Sequence, residues 1–401
     1  MTIKRVRVSD LRPGMFVHDL DCGWLHHGFL RQQFPIRDGE VIQKMKRQGL
    51  ELIYIDTGKG DDVPDAVTQA EIREDVDRRL QVTAEAGPTV TPKRVSHQEE
   101  AIAAKLIVSD GLRVVDSMLE DVRIGRQVNI ARAEPLVREI NASVLRNPGA
   151  LISLCRIKQA DTYTFQHCVS ICTLLIAFSH ALGMDAATVE EAGMGGLLHD
   201  LGKTKVPLEI LNKPGRLTED EYTIMKTHAA FSRDLLVGVP GVSELAIRIA
   251  SEHHEKIGGG GYPRGIVGEE ISQIGRMAAI VDIYDALSSN RVYHKGMEPS
   301  YALKKLLEWS GTHLDGDLVQ LFIRTLGIYP VGSLVRLSGG RLAVVAEQGE
   351  DLLRPVVRVI FDTDLNIGLQ PSELHLDQSV EQIESYEDPV DWGLKPEDYL
   401  G

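Results

Sequence analysis

The sequence predicts a mainly α protein: an all-helical central domain with a small N-terminal α/β module and a small C-terminal β appendix. Three observations predict it. Apolar residues recur at three- and four-residue spacing from Glu99 to about Leu326, the period of amphipathic helices. After Tyr329-Pro330 the period falls to two, as in Leu334-Val-Arg-Leu, Leu342-Ala-Val-Val-Ala and Val356-Val-Arg-Val-Ile. Ahead of both, short strand-like runs are separated by Gly and Pro turns.

Taken in order, residues 1–58 read as a small module of regulatory or dimerising role. Arg5-Val-Arg-Val is a strand, Leu11-Arg-Pro-Gly-Met-Phe-Val a turn entering a second, Gly39 to Gly49 a short helix, and Leu52-Ile-Tyr-Ile-Asp56 another strand. His26-His27 is read as exposed and inert. Residues 59–98, rich in acids, Gly, Pro and Thr, form an acidic linker with one charged helix between Ala66 and Ala84. Connecting helices are expected over 99–145, the central domain over 146–330, the β appendix over 331–370 and a loosely attached acidic tail over 371–401. About ten helices and no strand are expected between 99 and 326.

The 401 residues carry 44 Lys+Arg against 58 Asp+Glu, a net charge of −14, with 43% hydrophobic and 25% charged residues. Those fractions exclude a disordered or collagen-like chain. Residues 60–100 hold 10 acids and 5 bases, and residues 371–401 hold 9 acids and 1 base. The acidity therefore belongs to linker and tail. It speaks against coating a nucleic acid polymer, but not against a small anionic ligand. No run of about 18 apolar residues is present, so no membrane insertion is expected. The four cysteines, Cys22, Cys155, Cys168 and Cys172, are too few for a disulfide scaffold, and a cytoplasmic location is expected. Cys168 and Cys172, four apart, read as small apolar residues on one helix face.

The chemistry-bearing signal is histidine. Eight of the thirteen His lie between His167 and His313, and several stand in pairs: His199-Asp200 and His253-His254. Adjacent helical residues point about 100° apart, so His199 and Asp200 can grip one ion from two sides, or Asp200 can bridge to a second. The same divergence suggests that His253 and His254 serve one ion each. Gly193, Gly195 and Gly196 just before His199-Asp200 weaken a helix, which suggests close packing against a neighbour. Asp282 and Asp285 share a helix face at i, i+3. Nitrogen and carboxylate donors without Cys suit Fe or Mn first, with Zn or Ni less distinctive. Two ions bridged by an Asp are apparatus for phosphoester hydrolysis. Gly258-Gly-Gly-Gly-Tyr-Pro263 reads as a wall of that site, and Lys203, Arg291 and Lys295 as cations for a phosphate.

His199-Asp-Leu-Gly-Lys203, His253-His-Glu255 and Gly261-Tyr-Pro263, in this order, resemble the HD-GYP family of HD-superfamily metal phosphohydrolases. The flanks Val206 to Gly215, Arg276 to Leu287, Arg291-Val-Tyr293 and Gly327 to Arg336 resemble it too, over about residues 145–345. Residues 1–58 resemble a module of unknown role found ahead of such domains. The resemblance implies hydrolysis of cyclic di-GMP to linear pGpG, and slowly on to GMP, by a metal-bridging water or hydroxide. It implies one metal at His167, His199, Asp200 and Asp282, and another at His228, His253, His254 and the bridging Asp200. Iron or manganese is expected, with Zn, Ni or Mg as alternatives. Lys203, oriented by Asp285, and Arg291, His294 and Lys295 would face phosphate, with Tyr262 beside the substrate. A homodimer and a diguanylate cyclase partner meeting the Gly-Tyr-Pro loop are implied as well.

Four positions depart from the family. Tyr163 stands where a Glu holds a third metal in some members, and Asp161, six residues and about 240° from His167, does not replace it. Two metals and pGpG are therefore expected. Gly258 replaces an acid at the start of the loop, His294 replaces Lys or Arg, and Val292 replaces Pro. The alternatives are a cyclic dinucleotide sensor with little turnover, or a phosphohydrolase of another cyclic dinucleotide.

Overall fold

The computed structural model describes residues 2–21, 33–89, 95–155, 163–289 and 296–400. Cys22, His26, His27, Asp161, Arg291, Val292, His294 and Lys295 lie outside the described residues, as does the side chain of Tyr163.

The N-terminal module is an antiparallel sheet of β1 (Ile3–Arg7), β2 (Phe16–Asp19), β3 (Phe34–Pro35) and β4 (Leu52–Asp56), in the order β1-β4-β2-β3. Helix α1 (Gly39–Arg47) starts at Asp38, whose carboxylate accepts from the amides of Glu40 and Val41, a standard N-cap. Its apolar stripe, Ile42 and Met45, joins Val6, Val17, Ile53 and Ile55 in a core separate from that of the helices.

Residues 59–98 are less linker-like than their composition suggests. Helix α2 (Gln69–Glu85) opens with a Thr68–Glu71 capping box and lays Ile72 and Val76 into the helical core. A second capping box, Ser96–Glu99, starts the long helix α3 (His97–Arg123). There follow α4 (Glu134–Arg146), α5 (Pro148–Cys155), α6 (Tyr163–Ala181), α7 (Ala186–Leu198), the short α8 (Leu208–Leu211), α9 (Glu219–Leu236), α10 (Glu244–Glu252), α11 (Gln273–Ser288), α12 (Pro299–Trp309) and α13 (Gly316–Leu326). No strand interrupts them among the described residues.

One core runs through these helices, with α6 near its middle. The glycines of α7 are needed for its packing. A Cβ on Gly193 would lie 2.7 Å from Ile176 Cδ1, on Gly196 2.9 Å from the Cys172 amide nitrogen, and on Gly195 2.5 Å from Ile249 Cδ1. Helix α7 is therefore pressed between α6 and α10, as the glycine run suggested. Cys155, Cys168 and Cys172 are buried and unbridged, in keeping with packing roles. The window Thr164–Ala181 is long and apolar enough to cross a membrane by composition, but 72% of it is buried inside the protein.

The C-terminal part corrects the expectation of a β appendix ending at 370 and a loose tail. Strands β5 (Leu334–Leu337), β6 (Arg341–Glu347), β7 (Val356–Asp362), β8 (Ile367–His375) and β9 (Ile383–Tyr386) form one antiparallel sheet in the order β8-β7-β6-β5-β9. Pro371 sits in the edge strand β8, where its pairing with β7 shifts register between Val359 and Phe361. Beyond β9, Trp392, Leu394, Tyr399 and Leu400 pack on Leu334, Leu342, Val344 and Ile360. Arg358 donates to the Tyr399 carbonyl at 2.6 Å, and His97 Nδ1 lies 3.0 Å from the Leu400 carbonyl oxygen. The acids that suggested a loose tail are partly paired: Arg336 with Glu387 at 2.9 Å, and Arg341 with Glu381. A few well-spaced apolar residues suffice to dock the segment on an existing sheet face.

Candidate metal centre

Five helices deliver the donors. Helix α6 carries His167. His199 caps the end of α7, and Asp200 opens the tight turn Leu201–Lys205 that presents Lys203. Gly202 within that turn is fixed by contact: a Cβ there would lie 2.0 Å from the His228 carbonyl and 2.4 Å from the Ser232 amide nitrogen. Its own amide donates to Ser232 Oγ at 2.8 Å. Only glycine lets the turn lie against α9, which brings His228 to Asp200. His253 caps α10 and His254 follows it, while Asp282 and Asp285 project from one face of α11.

Asp200 faces two groups with its two oxygens. Oδ2 is 3.2 Å from His199 Nε2 and 3.4 Å from His167 Nε2; Oδ1 is 3.4 Å from His228 Nε2 and 4.0 Å from His253 Nε2. His167 Nε2 is also 3.2 Å from Asp282 Oδ1 and from His199 Nε2. His254 Nε2 lies 3.1 Å from His228 Nε2, and its Nδ1 is 3.8 Å from Asp282 Oδ2. Donor atoms of His228, His253 and His254 lie within 4.8 Å of one another, as do those of His167, His199 and Asp282, and of His199, Asp200 and His253.

Two expectations are corrected by these distances. His253 and His254 face the same cluster rather than one ion each. The chain leaves α10 at His253, so the 100° helical divergence does not apply, and the two rings lie 4.1 Å apart between centroids. Nor does Asp285 orient Lys203. Asp285 accepts from His167 Nδ1 at 2.7 Å and from Ser170 Oγ, while Lys203 Nζ pairs with Asp200 Oδ2 at 2.5 Å.

The rest of the geometry shows that these residues fit a cation. His199 Nδ1 donates to the Gly196 carbonyl at 2.8 Å, His228 Nδ1 to Met225 at 2.7 Å and His253 Nδ1 to Ile249 at 3.1 Å. Such outer bonds fix the tautomer and turn each Nε2 lone pair inward. Among the described residues, Asp200 Oδ1 and His253 Nε2 are buried without a hydrogen-bond partner, a costly arrangement that a bound cation relieves. The His/Asp clusters can thus hold divalent metal.

The electrostatics agree. Burial pushes His228 down to about 4 against the pull of Asp200, and His253 down to about 3 with His199 adding to the effect. Both present neutral lone pairs at pH 7. Burial also disfavours charge on His167, but Asp200, Asp282 and Asp285 together outweigh it and raise its pKa to about 9. Asp200 and Asp282 resist the upward push of burial and stay well below the usual carboxylate range, Asp200 through His199 and Lys203, Asp282 through His167 and His254.

The Gly-Tyr-Pro loop closes one side. Tyr262 lies against His254, 4.6 Å between ring centroids, and donates its amide to the His254 carbonyl at 3.2 Å. The Tyr262–Pro263 bond is cis. Two carboxylates given no role by the sequence reading hold the loop. Glu255 accepts from the amides of Arg264 and Gly265, and Glu252 from Ser272 and the Arg264 guanidinium. Position 255 adjoins the His pair, the one signal that marked it. Gly258, the departure at the loop's start, donates to the Thr312 carbonyl at 2.9 Å, and a Cβ there would lie 2.5 Å from that oxygen. A side chain at position 258, such as the acid the family resemblance implies, does not fit this loop path.

A family profile described as HD domain matches residues 153–318, and another described as domain of unknown function (DUF3391) matches residues 3–133. The chain is 40% identical over 399 residues to cyclic di-GMP phosphodiesterase PA4108 of Pseudomonas aeruginosa, covering 98% of this chain and 94% of that one. The chain belongs to the HD-GYP family. Further relatives of this HD-GYP chain match over shorter stretches. A cyclic di-GMP phosphodiesterase of Vibrio cholerae is 30% identical over 63% of this chain and 50% of its own length. A 3'3'-cGAMP-specific phosphodiesterase of the same organism is 30% identical over 78% and 63%. The His-Asp turn, the His pair and the Gly-Tyr-Pro loop of this HD-GYP chain meet at one place.

Proposed function

We propose that this HD-GYP protein is a metal-dependent phosphodiesterase that hydrolyses cyclic di-GMP to linear pGpG. The observation that carries the reading is the convergence of His167, His199, Asp200, His228, His253, His254 and Asp282 on one buried point, in a chain alike over nearly its whole length to a cyclic di-GMP phosphodiesterase. His167, His199, Asp200 and Asp282 would hold one divalent ion, and His228, His253, His254 and Asp200 the other, with iron or manganese preferred by the donor set. Bound there, the ions lower the pKa of a coordinated water and offset charge on phosphoryl oxygens.

The chain's own residues do the rest. Lys203, 26% exposed in its side chain, stands at the rim of the buried donors and can neutralise a phosphate oxygen. Asp285 holds His167 in orientation by accepting from Nδ1. Tyr262 shapes the substrate side of the His254 ring. Arg291, His294 and Lys295 are proposed phosphate contacts; a homodimer and a diguanylate cyclase partner are proposed from the resemblance, and a cytoplasmic location from the low cysteine count.

A second reading, hydrolysis of 3'3'-cGAMP, is favoured by the relatives named for that substrate. Protein purified anaerobically and loaded with Fe(II) or Mn(II) is to be incubated with each dinucleotide in parallel and the products separated by chromatography. Faster release of pGpG from cyclic di-GMP is expected. Faster cleavage of 3'3'-cGAMP would replace the first reading with the second.

A further inference from the structure

The cavity leading to the His/Asp centre is not built by the helical domain alone. It holds about 330 Å³, within the range of ligand sites, and its wall passes from His254, Tyr262 and Asp282 to Lys46, Arg47 and Gln48 at the end of α1. The N-terminal module therefore closes one side of the cleft.

Its position is fixed by bonds on two sides. Gln48 Nε2 donates to Glu219 Oε1 at 2.9 Å, and Lys44 Nζ lies 3.3 Å from the same oxygen, which ties the end of α1 to the start of α9. A Cβ on Gly49 would lie 3.2 Å from the Gly260 carbonyl, so module and Gly-Tyr-Pro loop are in contact. Behind the cavity, buried Asp21 accepts from Lys305 at 2.6 Å and from Trp309 Nε1 at 3.0 Å, and Tyr54 bonds Glu308. Trp309 itself lines the cavity.

The charge on this wall is unbalanced. Lys46 and Arg47 are exposed and make no ion pair or side-chain hydrogen bond among the described residues. Lys226 and Lys256 line the same cavity. The two carboxylates of the lining, Glu255 and Asp282, are engaged by backbone amides and by His167. A cleft lined by one sign of charge concentrates ligands of the other sign.

We propose that Lys46 and Arg47 form a second anion subsite, supplied by the N-terminal module, which holds the phosphodiester of a cyclic dinucleotide that is not being cleaved. The inference rests on the phosphodiesterase reading above. A cyclic dinucleotide carries two phosphodiesters on one ring, so placing one at the His/Asp centre sends the other across the cleft. Tyr222, also in the lining and only half-buried, offers an aromatic face for a base.

A contact made equally in ground and transition states changes KM and leaves kcat alone. The test is steady-state kinetics of full-length, metal-loaded Lys46→Ala/Arg47→Ala protein with cyclic di-GMP. KM is expected to rise about ten-fold with kcat within about two-fold, while Lys46→Arg/Arg47→Lys stays close to wild type. Lys105→Ala, an exposed cation of α3 outside the cavity, controls for net charge. With bis(p-nitrophenyl) phosphate, which has one phosphodiester, the KM of the double variant is expected to shift about five-fold less. Wild-type turnover of cyclic di-GMP with KM unchanged in the double variant overturns the subsite. An equal KM rise for both substrates, or for Lys105→Ala, overturns the second-phosphate assignment. A metal-loaded wild type that does not cleave cyclic di-GMP overturns the functional reading instead, and this inference with it.

Discussion

At the scale of single residues, Asp200 is the pivot, because its two oxygens face two different groups of imidazoles. Asp200→Ala is expected to lose bound metal and turnover together. Lys203→Ala is expected to keep its metal and lose about 100-fold in rate, as for removal of one charge-stabilising donor. Metal analysis of the two variants separates them, and full metal content in Asp200→Ala would contradict the ligand assignment. The clustering of His and Asp was readable because they recur in pairs at helix ends. The partner of Asp285 was not, since i, i+3 spacing names a face and not what meets it. Protonation gives a further expectation for the metal-free protein. His228 and His253, held at about 4 and about 3, bind protons less readily folded than unfolded. Their stability contribution is present above the unfolded His pKa of about 6.5 and is lost as pH falls toward those values. His167, held at about 9, contributes below about 6.5 and loses that contribution as pH rises toward 9. Thermal unfolding of chelator-treated protein is therefore expected to show Tm falling on both sides of about pH 6.5, and a Tm flat from pH 8 to pH 5 would refute these environments.

At the scale of elements, helix positions followed from apolar period, and their starts from capping residues. Thr68, Ser96 and Thr218 each pair with a Glu three residues on, which sets the beginnings of α2, α3 and α9. What composition misread was the end of the chain. The segment after Pro371 is acidic overall, yet β9 completes the sheet against β5, and Trp392 stacks edge-on to Phe361 with ring centroids 5.6 Å apart. Truncation after residue 370 is thus expected to lower Tm by at least about 5 °C or to leave the protein insoluble, because it removes part of β8, all of β9 and the cover of a sheet face. An unchanged Tm by calorimetry would restore the view of a loose tail.

At the scale of the whole molecule, the division into a small sheet module, a helical body and a C-terminal sheet was visible in the change of period along the chain. How the module meets the body was not. Asp21 with Lys305, and Gln48 with Glu219, join residues 284 and 171 positions apart, and no local pattern announces such pairs. The same long-range docking brings Lys46 and Arg47 to the cleft, so cations of an apparently separate module belong to the catalytic body's surroundings. The acidity of linker and tail leaves that cleft free to take an anion. The central claim is that the His/Asp centre cleaves a cyclic dinucleotide. Its most direct measurement is chromatography of cyclic di-GMP after incubation with anaerobically metal-loaded wild type and, in parallel, Asp200→Ala. The account predicts pGpG from the wild type and intact substrate from the variant. Metal-loaded wild type that yields no linear product, or a variant that yields as much, would contradict it.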